Sequence, residues 1–133
     1  MKKLILIIGA VLLFGAQSHM QTNDKDLKLA MEGKYKQAFD GFEKRCENND
    51  AYACGMVAYF YNKGYGVNTN LQKAIEYYKK GCRLKDPDSC TLLGYFYYKG
   101  TGVKKDLKKA LSLLKEGCNL GNKDACNYLN KIE

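Results

Sequence analysis

The chain is poor in the residues that most often carry chemistry. Its 133 residues include one histidine, one proline, three serines and two arginines. A single histidine excludes a multi-histidine metal site and leaves His19 as the one base of that type for a catalytic triad. The arginines, Arg45 and Arg83, are outnumbered by 20 lysines. Nucleic-acid readers favour arginine, whose planar guanidinium makes bidentate contacts to bases. The formal charge of +8 therefore reads as solubility or weak attraction to anionic surfaces, with no nucleic-acid partner. No apolar run is long enough to span a bilayer. The leading one, Leu4 to Ala16, has 13 residues, against roughly 18–20 required. Cysteine, by contrast, is abundant: there are six, an even number. A hydrophobic fraction of 46% is too high for disorder, and the length fits one domain.

Lys2 and Lys3 precede the apolar run, and Gln17 and Ser18 follow it. A charged start, an apolar middle and small residues before a cut are the layout of a secretory signal peptide. Ala16 and Ser18 stand three and one residues before a cut after Ser18. Residues 1–18 are thus expected to be removed and 19–133 to form the mature domain, without a membrane anchor. No cysteine lies near the cut, which argues against a lipid anchor. The mature chain would carry a formal charge of +6, because two lysines leave with the leader. All six cysteines would enter an oxidising compartment, periplasmic or extracellular, where they read as disulfides.

The cysteines fall as Cys46 and Cys54, Cys82 and Cys90, Cys118 and Cys126. Each pair has the spacing C-x7-C, and the pairs recur at an offset of 36 residues, the signature of a repeat architecture. The same offset aligns Ala38, Ala74 and Ala110, and Tyr35, Leu71 and Leu107. It also carries Gly64, Gly66 and Val67 onto Gly100, Gly102 and Val103, and Tyr59-Phe60-Tyr61 onto Tyr95-Phe96-Tyr97.

Each unit reads as two helices, A and B. Helix A carries Leu71, Ala74, Ile75, Tyr78 and Cys82 in the second unit. Tyr35, Ala38, Phe39, Phe42 and Cys46 match it in the first, and Leu107, Ala110, Leu111, Leu114 and Cys118 in the third. The spacing i, i+3, i+4, i+7, i+11 is one helical stripe. Asn70 and Asp106 stand where N-caps belong. Helix B carries Cys90, Leu93, Gly94 and Tyr97, matched by Cys54, Val57, Ala58 and Tyr61. Asp86-Pro87 is a helix start, and Gly64 and Gly100 are helix stops. The small Ala58 and Gly94 would let neighbouring helices approach closely. One more short helix is expected over about 24–32. Helices of about 12 residues are marginal alone and must bury their stripes against neighbours. The expected fold is therefore all-α, an α-solenoid of three helix-turn-helix repeats over about 35–70, 71–106 and 107–133.

Six cysteines allow about 15 pairings. If every repeat shares one geometry, each C-x7-C pair closes on itself and ties the end of helix A to the start of helix B. Each such loop is worth about 2.5 kcal/mol in the chain-entropy model. Zinc or reactive thiols fit less well, since C-x7-C lacks the usual close ligand spacing and no histidine accompanies it.

The segment from Leu93 to Ala110, Leu-Gly-Tyr-Phe-Tyr-Tyr-Lys-Gly-Thr-Gly-Val-Lys-Lys-Asp-Leu-Lys-Lys-Ala, closely resembles the Sel1-like repeat. The copy from Val57 to Ala74 departs by Val57 and Ala58 in place of Leu-Gly, and by Asn70 in place of aspartate. With a C-x7-C pair in every unit, the mature chain is similar throughout to the Helicobacter cysteine-rich proteins, the Hcp β-lactamase family. The resemblance implies a secreted or periplasmic, right-handed, TPR-like α-superhelix with one disulfide per repeat; a monomer without cofactor or metal is expected. It implies a protein that binds penicillin and slowly hydrolyses the β-lactam amide. The alternative is a non-catalytic scaffold that holds peptides, partner proteins or peptidoglycan fragments in its groove.

The residues carry little of a catalytic set. Ser112 and Lys115 have the Ser-x-x-Lys spacing of serine β-lactamases, in which a lysine or a nearby glutamate activates the serine. No Ser-Asp-Asn is present, and Lys99-Gly100-Thr101 is not Lys-Thr-Gly. The positions aligned with Ser112 are Asp40 and Glu76, as on an exposed helix face. Asp40, Glu76 and Glu116 lie on the A helices, expected to line the concave side, and Glu76 is the carboxylate candidate for acid–base work. Tyr77, off the core stripe beside Lys73 and Glu76, is the candidate groove aromatic. Lys73, Glu76, Tyr77, Lys80, Lys109 and Glu116 make up the expected groove.

Overall fold

The apolar stripes of the sequence each become a helix. A computed structural model describes residues 23–132; the expected signal peptide, residues 1–18, and His19 lie outside them. The helices are α1 (Lys25–Met31), α2 (Tyr35–Glu47), α3 (Ala51–Lys63), α4 (Leu71–Arg83), α5 (Pro87–Lys99), α6 (Leu107–Asn119) and α7 (Lys123–Ile132). No strand occurs among the described residues. None of the described helices is long and apolar enough to cross a membrane. The A helices are α2, α4 and α6, and the B helices are α3, α5 and α7. Each helix packs mainly on the next in the chain, as in a solenoid.

Each A–B turn is built the same way. A residue in the left-handed region ends helix A: Asn49 at φ 66°, Lys85 at φ 76°, Gly121 at φ 104°. The following amide then reaches back, Asp50 to the Arg45 carbonyl, Asp86 to that of Gly81 and Asn122 to that of Gly117, at 2.9–3.0 Å. This is the hydrogen bonding of a Schellman closure. The residue that makes it is also the N-cap of helix B. The side chains of Asp50, Asp86 and Asn122 accept from the amides of Ala53, Ser89 and Ala125 at 2.9–3.1 Å. One short turn thus stops one helix and starts the next. It brings the cysteine Cα atoms to 4.6, 4.6 and 4.8 Å, and the disulfides are Cys46–Cys54, Cys82–Cys90 and Cys118–Cys126.

The B–A loops are longer and lean on the preceding A helix. Gly66, at φ 70°, lies so close to the start of α2 that a Cβ there would sit 2.7 Å from the Lys36 amide nitrogen. The side chains of Asn70 and Asp106 then cap α4 and α6 by accepting from Lys73 and Lys109 at 3.0 Å.

The longest interfaces run from B to the following A helix, α3 on α4 and α5 on α6. Small residues permit them: Ala58, Ala74 and Ala110 are fully buried, and a Cβ on Gly94 would meet the Ala110 carbonyl at 3.2 Å. The disulfide-linked pairs share thinner interfaces, so the covalent bonds sit where packing is sparser. Within the first unit Phe42 meets Phe60 edge to face at 5.7 Å.

Two stripe positions are not core. Leu107 is 48% exposed and Tyr35 37%. Leu71, their equivalent, is covered by the loop at Gly102, where a Cβ would meet it at 2.8 Å; no described segment lies over Leu107. Tyr35 instead stacks on Tyr65 at the rim, 4.6 Å between centroids. At the other end α1 is clamped by Arg45, which reaches Asp24 at 2.8 Å, Asp26 at 3.2 Å and Asp50 at 3.0 Å. Replacing both Cys82 and Cys90 by alanine is expected to lower unfolding stability by about 2–3 kcal/mol in denaturant titration. A non-reduced digest should yield the three intra-repeat links, and a Cys54–Cys82 peptide would contradict this pairing.

Candidate functional site

The B helices carry a second stripe besides the one that holds the cysteines. On α3 it is Tyr52, Met56 and Tyr59, at i, i+4 and i+7. The 36-residue offset carries it to Asp88, Leu92 and Tyr95 on α5, and to Asp124 and Tyr128 on α7. These residues line one hollow of 470 Å³, with Tyr78 of α4, the caps Asp86 and Asn122, Thr91 and Gly55 completing its wall. Tyr52 and Tyr59 stay 39% and 37% exposed, and Tyr95 meets Tyr128 across the α5–α7 boundary at 5.7 Å. Gly55 lets α3 come close: a Cβ there would lie 2.6 Å from Asp86 Oδ2.

The hollow is acidic in a basic protein. Asp86, Asp88 and Asp124 line it, and no lysine, arginine or histidine does. Asp86 is only 7% exposed. Its Oδ2 accepts from the amide and the hydroxyl of Ser89, and no ion pair to it occurs among the described residues. Burial pushes its carboxyl above the usual carboxylate range, against the opposing pull of the two Ser89 hydrogen bonds. Asp88 Oδ1 accepts from Asn122 Nδ2 at 2.6 Å, tying α5 to the cap of α7. Among the described residues no group of three or more His, Cys, Asp or Glu is placed to hold a metal ion.

Tyr78 adds an unpartnered group. It is 1% exposed, its ring packs edge-on against Phe96 at 5.8 Å, and its buried Oη has no hydrogen-bond partner. A buried polar atom left so costs about 1–3 kcal/mol and asks for an explanation.

The residues expected to form a groove on the A helices lie away from this hollow. Tyr77 is half-buried, stacks on Tyr61 at 5.8 Å and packs between the cores of the first two units. Burial raises its phenol pKa. Lys73 sits over the Tyr61 ring at 5.4 Å, and Lys80 donates to the Cys46 carbonyl at 2.8 Å. Glu76 is exposed on α4, and Asp40 pairs with Lys36 at 2.6 Å. None of the six expected groove residues, Lys73, Glu76, Tyr77, Lys80, Lys109 and Glu116, lines the B-helix hollow. Lys109, over the Tyr97 ring at 4.7 Å, does meet Ser112 and Glu116 in a shallower hollow with Lys79, Arg83 and Lys85. Glu116 is held there by Lys85 at 2.9 Å. Ser112 and Lys115 are both exposed and share a second shallow depression with Glu116. All six cysteines are in disulfides. The Tyr-Met-Tyr stripe was open to a sequence reading: α3 and α5 are apolar on more than one face, and a helix with two apolar faces has two things to cover.

A family model described as Sel1 repeat matches residues 51–86 and 87–122. It groups each B helix with the A helix that follows, the pairs with the longest interfaces. Among curated proteins, a stretch of 75 residues is 37% identical to Beta-lactamase HcpA of Helicobacter pylori, covering 53% of this chain and 30% of that protein. The chain therefore spans under a third of this curated relative. Among solved structures, Helicobacter pylori cysteine rich protein B superposes with a TM-score of 0.73 at 33% identity, over 91% of this chain and 92% of that one. A Sel1 repeat protein from Oxalobacter formigenes superposes with a TM-score of 0.75 at 24% identity, over 80% and 44% of the two chains, a likeness of fold alone.

Two substitutions test the site's electrostatics. Asp86→Asn keeps the cap and removes the buried charge. A carboxyl whose folded pKa is raised destabilises the fold above that pKa and contributes nothing once pH falls below its unfolded value. Asp86→Asn should therefore melt higher than wild type at pH 7, and the gap should close in the acid range. Tyr78→Phe, which deletes the unpartnered hydroxyl, should melt no lower than wild type.

Proposed function

The chain belongs to the Sel1-repeat family, and from that premise we propose that it is an extracytoplasmic, disulfide-stapled binding module whose B-helix hollow holds a peptide segment of a partner protein. Sel1-repeat proteins generally bind protein partners. The observation that carries the reading is the hollow itself: aromatic and acidic side chains at one register of successive B helices, over a buried hydroxyl without a partner. Apolar walls with a few fixed polar groups are the usual make-up of a ligand site, and exposed tyrosines anchor interfaces at low entropic cost. Three disulfides and the likeness to the Hcp proteins support export. The leader over residues 1–18 would supply it, leaving 19–133 as the working domain.

A second reading, β-lactam hydrolysis, comes with the name of the curated relative. Its support here is that Ser112, Lys109 and Glu116 meet in a hollow rimmed by Lys79, Arg83 and Lys85, charges that suit the carboxylate of a β-lactam. Against it, Ser112 is exposed within α6. The amides around a mid-helix serine are spent on the helix ladder and cannot form an oxyanion hole. The acidic B-helix hollow, for its part, repels a β-lactam carboxylate.

Peptides selected by phage display on the oxidised 19–133 domain should bind the wild type and weaken at least tenfold on Tyr95→Ala or Met56→Ala. Selected binders indifferent to both changes would overturn the reading. In a nitrocefin assay, Ser112→Ala is expected to leave turnover unchanged. Turnover that is abolished by Ser112→Ala would establish the second reading instead.

A further inference from the structure

We propose that the hollow is a receptor for a basic side chain, a lysine or arginine of the partner peptide. The inference rests on the binding-module reading and names the chemistry its ligand must carry. Three aspartates converge on one hollow with no cation among its lining residues, in a chain whose 22 basic residues outnumber its 14 acidic ones. Negative charge is favourable at the amino-terminal turns of α5 and α7, which accounts for Asp88 and Asp124 as helix residues. Capping of α5 accounts for Asp86 as the acceptor from Ser89 but leaves its charge unpaired, since this carboxylate, 7% exposed, has no ion pair among the described residues. Nor does capping account for Tyr78 Oη, buried at the same hollow without a partner. An incoming ammonium or guanidinium carries hydrogens enough to give one to a carboxylate and another to a phenol oxygen.

The walls fit the same ligand. Tyr52, Tyr59 and Tyr95 line the hollow; Lys63 and Lys99 already lie over the Tyr59 and Tyr95 rings at 5.9 and 5.8 Å, which leaves the Tyr52 ring for an incoming cation, an attraction that strengthens as the cation is desolvated. Met56 and Leu92 would take the aliphatic stem, as long basic side chains bury their methylenes and keep the charge on a polar partner. A metal ion is the wrong occupant, since no set of three donors is arranged for one among the described residues.

The probes are blocked pentapeptides, Ac-Gly-Ala-X-Ala-Gly-NH2, with X lysine, norleucine or glutamate, titrated into the oxidised protein and followed by NMR. Lysine is expected to bind at least fivefold more tightly than norleucine, with affinity falling as salt is raised, and glutamate should bind weakest. The double variant Asp88→Asn/Asp124→Asn, checked for fold by circular dichroism, should reduce the lysine preference. Tyr78→Phe should weaken the lysine peptide without lowering the melting temperature. Norleucine binding as well as lysine would overturn the proposal. So would groove-dependent peptides from the display selection that carry no basic residue, and that outcome would leave the binding-module reading standing. Peptides that bind but ignore the Tyr95→Ala change would overturn both.

Discussion

The A–B turn is the constraint on which the structure depends. A left-handed residue ends helix A, the next amide reaches back five residues, and the same residue's side chain opens helix B. Nothing in that turn can lengthen without separating the two cysteines. Each disulfide holds in place a helix pair whose interface is thin, while the alanine- and glycine-lined B–A interfaces hold by packing. Covalent and apolar cohesion thus alternate along the solenoid. Three helix pairs are stacked in this way among the described residues.

The turn also places the site. Asp86 closes α4, caps α5 and stands in the wall of the hollow. Asn122 does the same one unit on, and bonds to Asp88 as well. Because the B helices are set at one register by these turns, the side chains at one position of each helix fall into line and form a single wall. The first unit differs. Where later units have Gly81 and Gly117, Arg45 fills the position and gathers Asp24, Asp26 and Asp50. Its three acidic neighbours share one guanidinium within the fold, whereas Asp86, Asp88 and Asp124 at the hollow have no ion pair among the described residues.

The helices, their order and the disulfide pairing were legible because each rests on short-range rules: a 3.6-residue stripe, an N-cap, a left-handed stop, a fixed cysteine spacing. The close approach at Gly94 was legible for the same reason. The B-helix hollow was not. Tyr77 reads as a groove residue from its place off the A stripe; in the structure it is half-buried and stacks on Tyr61 of the neighbouring helix. Lys73 and Lys80 read as groove residues; in the structure the first lies on a ring and the second on a carbonyl 34 residues away. Which outward face of a solenoid is hollow depends on how successive pairs rotate, and that is a long-range property. Tyr78 shows the limit most plainly. Periodicity assigns it to the core, where its ring is, and says nothing of its place in the wall of the hollow or of its unpartnered hydroxyl.

The account's central claim is that ligand binds across the B helices and not on the A-helix face. Mapping amide and tyrosine ring chemical shifts while a groove-selected peptide is titrated into the oxidised domain tests it most directly. The account predicts changes centred on Tyr52, Tyr59, Tyr78, Tyr95 and Tyr128, with the Asp86 amide among them. Changes centred instead on Lys73, Tyr77, Lys109 and Ser112 would contradict it.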